Sequence, residues 1–231
     1  MALPTFNVPK YSAVLPSTGK TVTFRPFLVR EQKQLLMAVN GTVSEQAAAV
    51  TEIIRACTAG AVDADRLPAF DVEYLFLQIR ARSVGESVDL VLTCGCGEQT
   101  NQSLDITTVG ITKNPNHSNK IDLDGNIMLV MRYPRLSEVD AYAQRITADS
   151  TIELIAGSIE SIWEGDNMYA AADYSRAELI EFVENLSPAA FEKIETFFAT
   201  MPVLNHEVSW TCKKCGADNA VTMQGIESFF G

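Results

Sequence analysis

Val91-Leu92-Thr93-Cys94-Gly95-Cys96-Gly97-Glu98, near the middle of the chain, and Ser209-Trp210-Thr211-Cys212-Lys213-Lys214-Cys215-Gly216-Ala217, near its end, repeat one small device. Each reads as a strand running into Thr-Cys, a tight turn closed by Cys-Gly, and a second strand running out. Four thiolates in two closely spaced pairs can surround one zinc ion tetrahedrally, and the chain between the pairs can be any length that lets them converge. The expectation is a split zinc ribbon whose ligands are Cys94, Cys96, Cys212 and Cys215, with Zn2+ in a structural role. The second pair has the usual two-residue spacing, and Gly216 suits a backbone that turns back while its amides face sulfur. The first pair has only Gly95 between its cysteines, which makes that half unusually tight. A redox pair, an iron–sulfur site and unliganded thiols compete with the zinc reading. Cys57 lies in an apolar helical stretch with Ile53, Ile54 and Ala56, where a buried free thiol is expected.

The chain has 231 residues, of which 47% are hydrophobic and 20% charged, which is ordinary globular material able to bury a core. Its formal charge of −11 argues against a nucleic-acid partner, because phosphate binding needs a clustered basic surface. Lys213 and Lys214 are the one basic pair beside the cysteines, so a zinc-ribbon nucleic-acid-binding adaptor is the alternative reading rather than the main one. No charged-then-apolar leader and no membrane-length apolar run is found, so a cytosolic setting without membrane or disulfides is expected.

Tyr11–Leu15 and Thr21–Arg25 are short β-like runs joined by Pro16-Ser17-Thr18-Gly19-Lys20, a hairpin signature. Gly19-Lys20-Thr21 invites a phosphate-loop reading, but Val14 stands where that motif needs glycine. The following helix lines up Leu35, Leu36 and Val39, and ends near Asn40-Gly41. Ser44-Glu45-Gln46-Ala47 reads as the capped start of a second helix, and Leu67-Pro68-Ala69-Phe70-Asp71 opens a third with Val72, Leu75, Phe76 and Ile79 at helical spacing. Val88, Leu90 and Leu92 then alternate into the first cysteine pair.

These same stretches carry a family likeness. Leu15-Pro16-Ser17-Thr18-Gly19-Lys20, Phe24-Arg25-Pro26-Phe27-Leu28-Val29-Arg30-Glu31-Gln32-Lys33 with Leu35-Leu36-Met37-Ala38, and the run from Leu67 to Glu86 resemble the baseplate hub assembly family of T-even-like contractile-tailed bacteriophages. The likeness is close over about the first hundred residues and looser through the terminal cysteine pair. It implies a non-enzymatic role in building or completing the baseplate hub, as a hub subunit or an assembly chaperone. The implied partners are other baseplate hub and tail proteins, with no small-molecule substrate. The implied location is the host cytoplasm during assembly and the tail baseplate of the virion.

Beyond the first cysteines, 101–120 is polar and reads as a loop or a loosely attached strand, with His117 solvated. Ile121–Met131 is a hairpin about Asp-Gly. From Ser137 to Met201 the pattern reads as helices over 138–146, 150–163, 176–186 and 188–198, with capping boxes at Ser150–Glu153 and Ser175–Glu178 and Ser187-Pro188 opening the last. No nucleophile or base accompanies the carboxylates of this block, so no enzyme is expected. Trp163, Met168, Tyr169 and Tyr174 form an aromatic-rich connector, read first as core packing and second as a partner-binding patch. The expected fold is α+β: an N-terminal β-hairpin and helices (1–86), a split four-cysteine zinc ribbon (87–135 and 202–231), and a helical insertion between the ribbon halves (136–201). Arg25, Phe27, Arg30, Trp163, Tyr169, Phe229 and Phe230 are the candidate partner-binding residues.

Overall fold

The computed structural model describes residues 7–38, 41–123 and 125–225. They form a mixed α/β structure of helices and small antiparallel sheets, divided into two compact units: 1–112 with 203–231, and 113–202. Among the described residues no helix is long and apolar enough to cross a membrane.

The first unit opens with the hairpin of β1 (Tyr11–Val14) and β2 (Thr21–Phe24). Its turn is closed by the Leu15 N–H on Lys20 O and the Gly19 N–H on Leu15 O, at 2.9 and 2.8 Å, and Gly19 has a φ of +70°. Gly19-Lys20-Thr21 is therefore the exit of a hairpin turn. The Ser17 amide and hydroxyl both donate to Asp71, which lies fully buried in the first turn of a later helix.

Three helices follow: α1 (Val29–Ala38), α2 (Val43–Cys57) and α3 (Ala69–Val84). The N-cap of α2 lies two residues before the expected one. Thr42 is the N-cap and shares a capping box with Glu45, while Ser44 lies inside the helix. The acid was the right partner; Thr42 is the hydroxyl three residues before it, as the box geometry requires. α3 is buried on most sides through Phe70, Val72, Leu75, Phe76, Leu77 and Ile79, the signature of a central core helix. α1 departs from expectation: Leu36 is 65% exposed rather than part of an inward line.

Two hairpins complete this unit. β3 (Ser87–Thr93) pairs with β4 (Gln99–Asp105), while β10 (Val203–Thr211) pairs with β11 (Asp218–Gln224) and, on its other side, with β5 (Gly110–Thr112). The polar stretch after Asn101 thus contributes ladder residues, because its alternation Gln102, Leu104, Ile106 carries enough apolar side chains to pack. Val88 and Leu104 from one hairpin and Val208 and Met223 from the other share a core with Leu77 and Ala81 of α3.

The second unit contains a four-stranded sheet in the order β6 (Lys120–Asp122), β7 (Ile127–Met131), β8 (Ile159–Glu164), β9 (Asn167–Ala170). It also holds four helices: α4 (Leu136–Gln144), α5 (Ala148–Gly157), α6 (Arg176–Glu184) and α7 (Pro188–Thr200). Leu129, Met131, Ile155, Ile159, Val183, Ile194 and Phe197 form its core. The expected hairpin at 121–131 is present, and it groups with this unit rather than with the cysteine hairpins.

The block between Ser137 and Met201 is not all helical. The helix expected over 150–163 ends at Gly157, and β8 and β9 follow. Ile152, Ile155, Ala156 and Ile159 satisfy helical spacing, which hides the switch; Ile159 and Ser161 are buried about an exposed Glu160, which is strand alternation. A Cβ at Gly157 would collide with the Arg176 guanidinium, so the glycine admits α6 against the end of α5. The α5 cap is Thr147 with Ser150 rather than Ser150 with Glu153. Ser175 with Glu178, and Ser187 before Pro188, cap α6 and α7 as expected.

His117 is half-buried, not solvated. Its ring nitrogens hydrogen-bond Thr200 Oγ1 at 2.9 Å and the Tyr133 hydroxyl at 3.1 Å, and it packs between Tyr133 and Phe197. Desolvation lowers its pKa below the ordinary histidine value.

Candidate metal centre

Both cysteine pairs occupy the tips of antiparallel hairpins. In the first, the ladder ends at Thr93 opposite Gln99; the Cys94 N–H donates to Glu98 O at 2.9 Å and the Gly97 N–H to Cys94 O at 2.8 Å. In the second, the ladder ends at Thr211 opposite Asp218; the Cys212 N–H donates to Ala217 O at 2.8 Å and the Gly216 N–H to Cys212 O at 2.9 Å. The turns are the same knuckle with one residue removed from the first. Each needs its closing glycine, at φ +83° for Gly97 and +73° for Gly216, a region that side chains with a Cβ disfavour.

The core shared by Val88, Leu104, Val208 and Met223 over α3 aims the two tips at one another. All four sulfurs lie within 4.8 Å of one another, with Cys94–Cys215 and Cys96–Cys212 at 3.7 Å. Thiolates about 2.3 Å from a tetrahedral ion sit about 3.8 Å apart, whereas a disulfide needs about 2.05 Å; the four are not joined in disulfides and their geometry is compatible with a structural metal. Cys94 and Cys212 are buried and Cys96 and Cys215 exposed. Lys214 reaches across to Glu98 at 3.5 Å, so one of the two basic residues near the site is taken up by an ion pair between the knuckles.

Electrostatics in the site favour thiolate over thiol at one position. The backbone N–H groups of Cys215 and Lys214 point at Cys212 and hold its pKa down at about 6. Cys215 accepts from the Ala217 amide, which pulls it down, yet its sulfur neighbours Cys212, Cys96 and Cys94 outweigh that and push it up to about 12. A cation among the four sulfurs would offset the mutual repulsion that raises Cys215. Four protein ligands fill a tetrahedral shell, leaving no open position for a substrate or water.

Cys57 stands apart, buried in α2, where desolvation pushes its thiol up to about 11. Arg25 is mostly buried and binds Glu31 at 2.9 Å, Arg30 is exposed and binds the same carboxylate at 2.6 Å, and Phe27 faces the core at 7% exposure. Trp163 is half-buried, its indole N–H donating to Ser161 Oγ at 3.1 Å; Tyr169 is exposed and donates to Glu164 at 3.2 Å. Phe229 and Phe230 lie outside the described residues. Sequence reasoning passed over Val29 and Met37, exposed at 81% and 72% on α1. Their helical spacing reads as core, and only the packing shows which side of α1 is covered.

One family model, described as T4 bacteriophage base plate protein, matches residues 8–231. No curated protein and no solved structure matches the chain. The match takes in both hairpins and the unit between them, and such a family carries a structural or assembly role in a phage baseplate. The chain belongs to the T4 bacteriophage base plate protein family.

Proposed function

We propose that this protein is a non-enzymatic scaffold of the baseplate hub, acting as a hub subunit or as a chaperone of hub assembly, and that one zinc ion staples its two cysteine hairpins into a split ribbon. The observation that carries the reading is the convergence of four cysteine sulfurs within 4.8 Å from hairpins 116 residues apart, in a chain of baseplate family. Cys94, Cys96, Cys212 and Cys215 would hold the ion. The metal would supply no chemistry beyond cross-linking, since four thiolates leave it coordinatively closed.

The choice of zinc rests on the donor set. Two short-spaced thiolate pairs at hairpin tips with inward amides suit a d¹⁰ ion that demands only a tetrahedron. Stapling residues so far apart fixes the relation of β3–β4 to β10–β11, giving partners one preformed surface. Its contacts would be other hub and tail proteins, met in the host cytoplasm and retained in the tail baseplate for a hub subunit. Arg30 on α1 and Trp163 and Tyr169 on β8–β9 are the surface candidates; Phe27 serves the interior.

An affinity-tagged chain expressed during infection tests this. Recovery of baseplate proteins with the wild type, and their loss with a Cys212→Ser variant, is expected. A wild-type chain that recovers no baseplate protein contradicts the proposal.

A further inference from the structure

The four-stranded sheet has two edges, and they are treated differently. On β6 the outward backbone groups are occupied: Ser118 Oγ bonds both the Lys120 N–H at 3.1 Å and its C=O at 3.0 Å, and Lys193 Nζ donates to Asp122 O at 2.9 Å. β9 has no such cover. In the β8–β9 hairpin, Gly165 and Asp166 form a two-residue turn between Glu164 and Asn167, so that pair exchanges the closing hydrogen bonds. The Gly165 N–H bonds Asn126 O at 3.0 Å, which confirms that odd-numbered residues of this strand face β7 and even-numbered ones face β9. Asn167 and Tyr169 therefore bond inward, and Met168 turns its N–H and C=O outward, where they have no partner among the described residues.

This edge also lacks the usual guards against pairing, a lysine, a proline or a bulge. Instead it ends an apolar row. Met128, Trp163 and Met168 lie side by side across β7, β8 and β9 on the face opposite Leu129 and Ile162, and Met168 is 54% exposed. On the other face, the Glu164 carboxylate stands beside the exposed Tyr169. Between Arg145 and Arg176 the sequence has six carboxylates, Asp149, Glu153, Glu160, Glu164, Asp166 and Asp173, and no lysine or arginine.

We infer that β9 is a docking edge for an extended, basic segment of a partner protein, which adds as a fifth strand. The proposal rests on the scaffold reading and specifies the partner's chemistry. A strand laid beside β9 places alternate side chains on the two faces. Apolar residues on one face continue the Met128–Trp163–Met168 row, and the residues between them lie on the face of Glu164, in a hairpin that carries Glu160, Glu164 and Asp166 and no lysine or arginine, which calls for lysine or arginine. β9 is short and offers few backbone bonds, so charge and the methionine–tryptophan row must supply much of the affinity.

The test uses the full-length protein and a short labelled peptide alternating lysine and valine, with a glutamate–valine twin, read by amide hydrogen exchange and fluorescence anisotropy. The basic peptide is expected to protect the Met168 amide, to weaken several-fold as salt is raised, and to lose about tenfold or more in affinity for Met168→Pro. Proline removes the outward donor of an edge strand, which edges tolerate, together with the methionine side chain; a basic peptide N-methylated at alternate residues tests the backbone bonds separately on unaltered protein and must also fail. Equal binding of the acidic twin, no protection at Met168, or protection of that amide by self-association without peptide overturns the inference. If tagged protein still recovers baseplate proteins, such a failure rejects the β9 assignment alone and leaves the scaffold reading standing.

Discussion

If a metal joins the four cysteines as proposed, removing it should loosen the two cysteine hairpins and leave the 113–202 unit intact. Cys96 and Cys212 are 116 positions apart, and closing a loop of that length costs about 5 kcal/mol of chain entropy. With a metal bound, the cross-link carries that cost; without it, the core of Val88, Leu104, Val208, Met223 and α3 must carry it alone. A loss of that size is comparable to the whole net stability of a small domain. The 113–202 unit has its own core about Leu129, Ile155 and Ile194 and no part in the site. Hydrogen exchange followed by mass spectrometry, with and without a chelator near pH 7.5, resolves the two. Amides of Ser87–Asp105 and Val203–Gln224 are expected to exchange several thousandfold faster after chelation, since about 5 kcal/mol at 1.4 kcal/mol per factor of ten is roughly 3.6 decades. Unchanged protection in the hairpins, or an equal loss across both units, would refute the reasoning.

Glu31, 2% exposed, is opposed by burial but held near pKa 2 by hydrogen bonds from Arg25, Arg30 and the Leu28 amide. Its folded pKa lies below the ordinary 4.5, so its stabilisation, about 3 kcal/mol, is present above pH 4.5 and is lost as pH falls toward 2. Glu31→Gln should remove that slope in an acid-unfolding series and lower stability at pH 7. Thr42→Ala and Ser175→Ala should each cost about 1 kcal/mol in denaturant unfolding by deleting a capping box, whereas Ser44→Ala should be nearly neutral. His117→Ala should destabilise the 113–202 unit by about 1–2 kcal/mol through loss of the Thr200 and Tyr133 hydrogen bonds and ring packing. Because burial lowers the His117 pKa, its contribution is complete above pH 6.5 and falls as pH drops through the lowered value, a slope the variant should lack in thermal melts.

The cysteine knuckles were legible in the sequence because their chemistry is local: Thr-Cys, a short turn and Cys-Gly can be read within nine residues. The first hairpin and α3 were legible for the same reason, from turn residues and spacing. β8 was not, since Ile152, Ile155, Ala156 and Ile159 fit a helix and only tertiary packing decides that Gly157 ends it. Caps failed by a few residues at Thr42 and Thr147, where several hydroxyls compete for one role and the winner is set by backbone angles. His117 looked like loop because its partners, Tyr133 and Thr200, are 16 and 83 residues away. The sidedness of α1 was hidden likewise, as an apolar stripe does not say whether this chain or another covers it.

The most direct test of the central claim is a native mass spectrum of the purified protein, which gives metal content and assembly state together. One zinc ion per monomer is the result the zinc-stapled scaffold requires. A metal-free folded monomer, a different bound metal, or zinc found only in oligomers would contradict it.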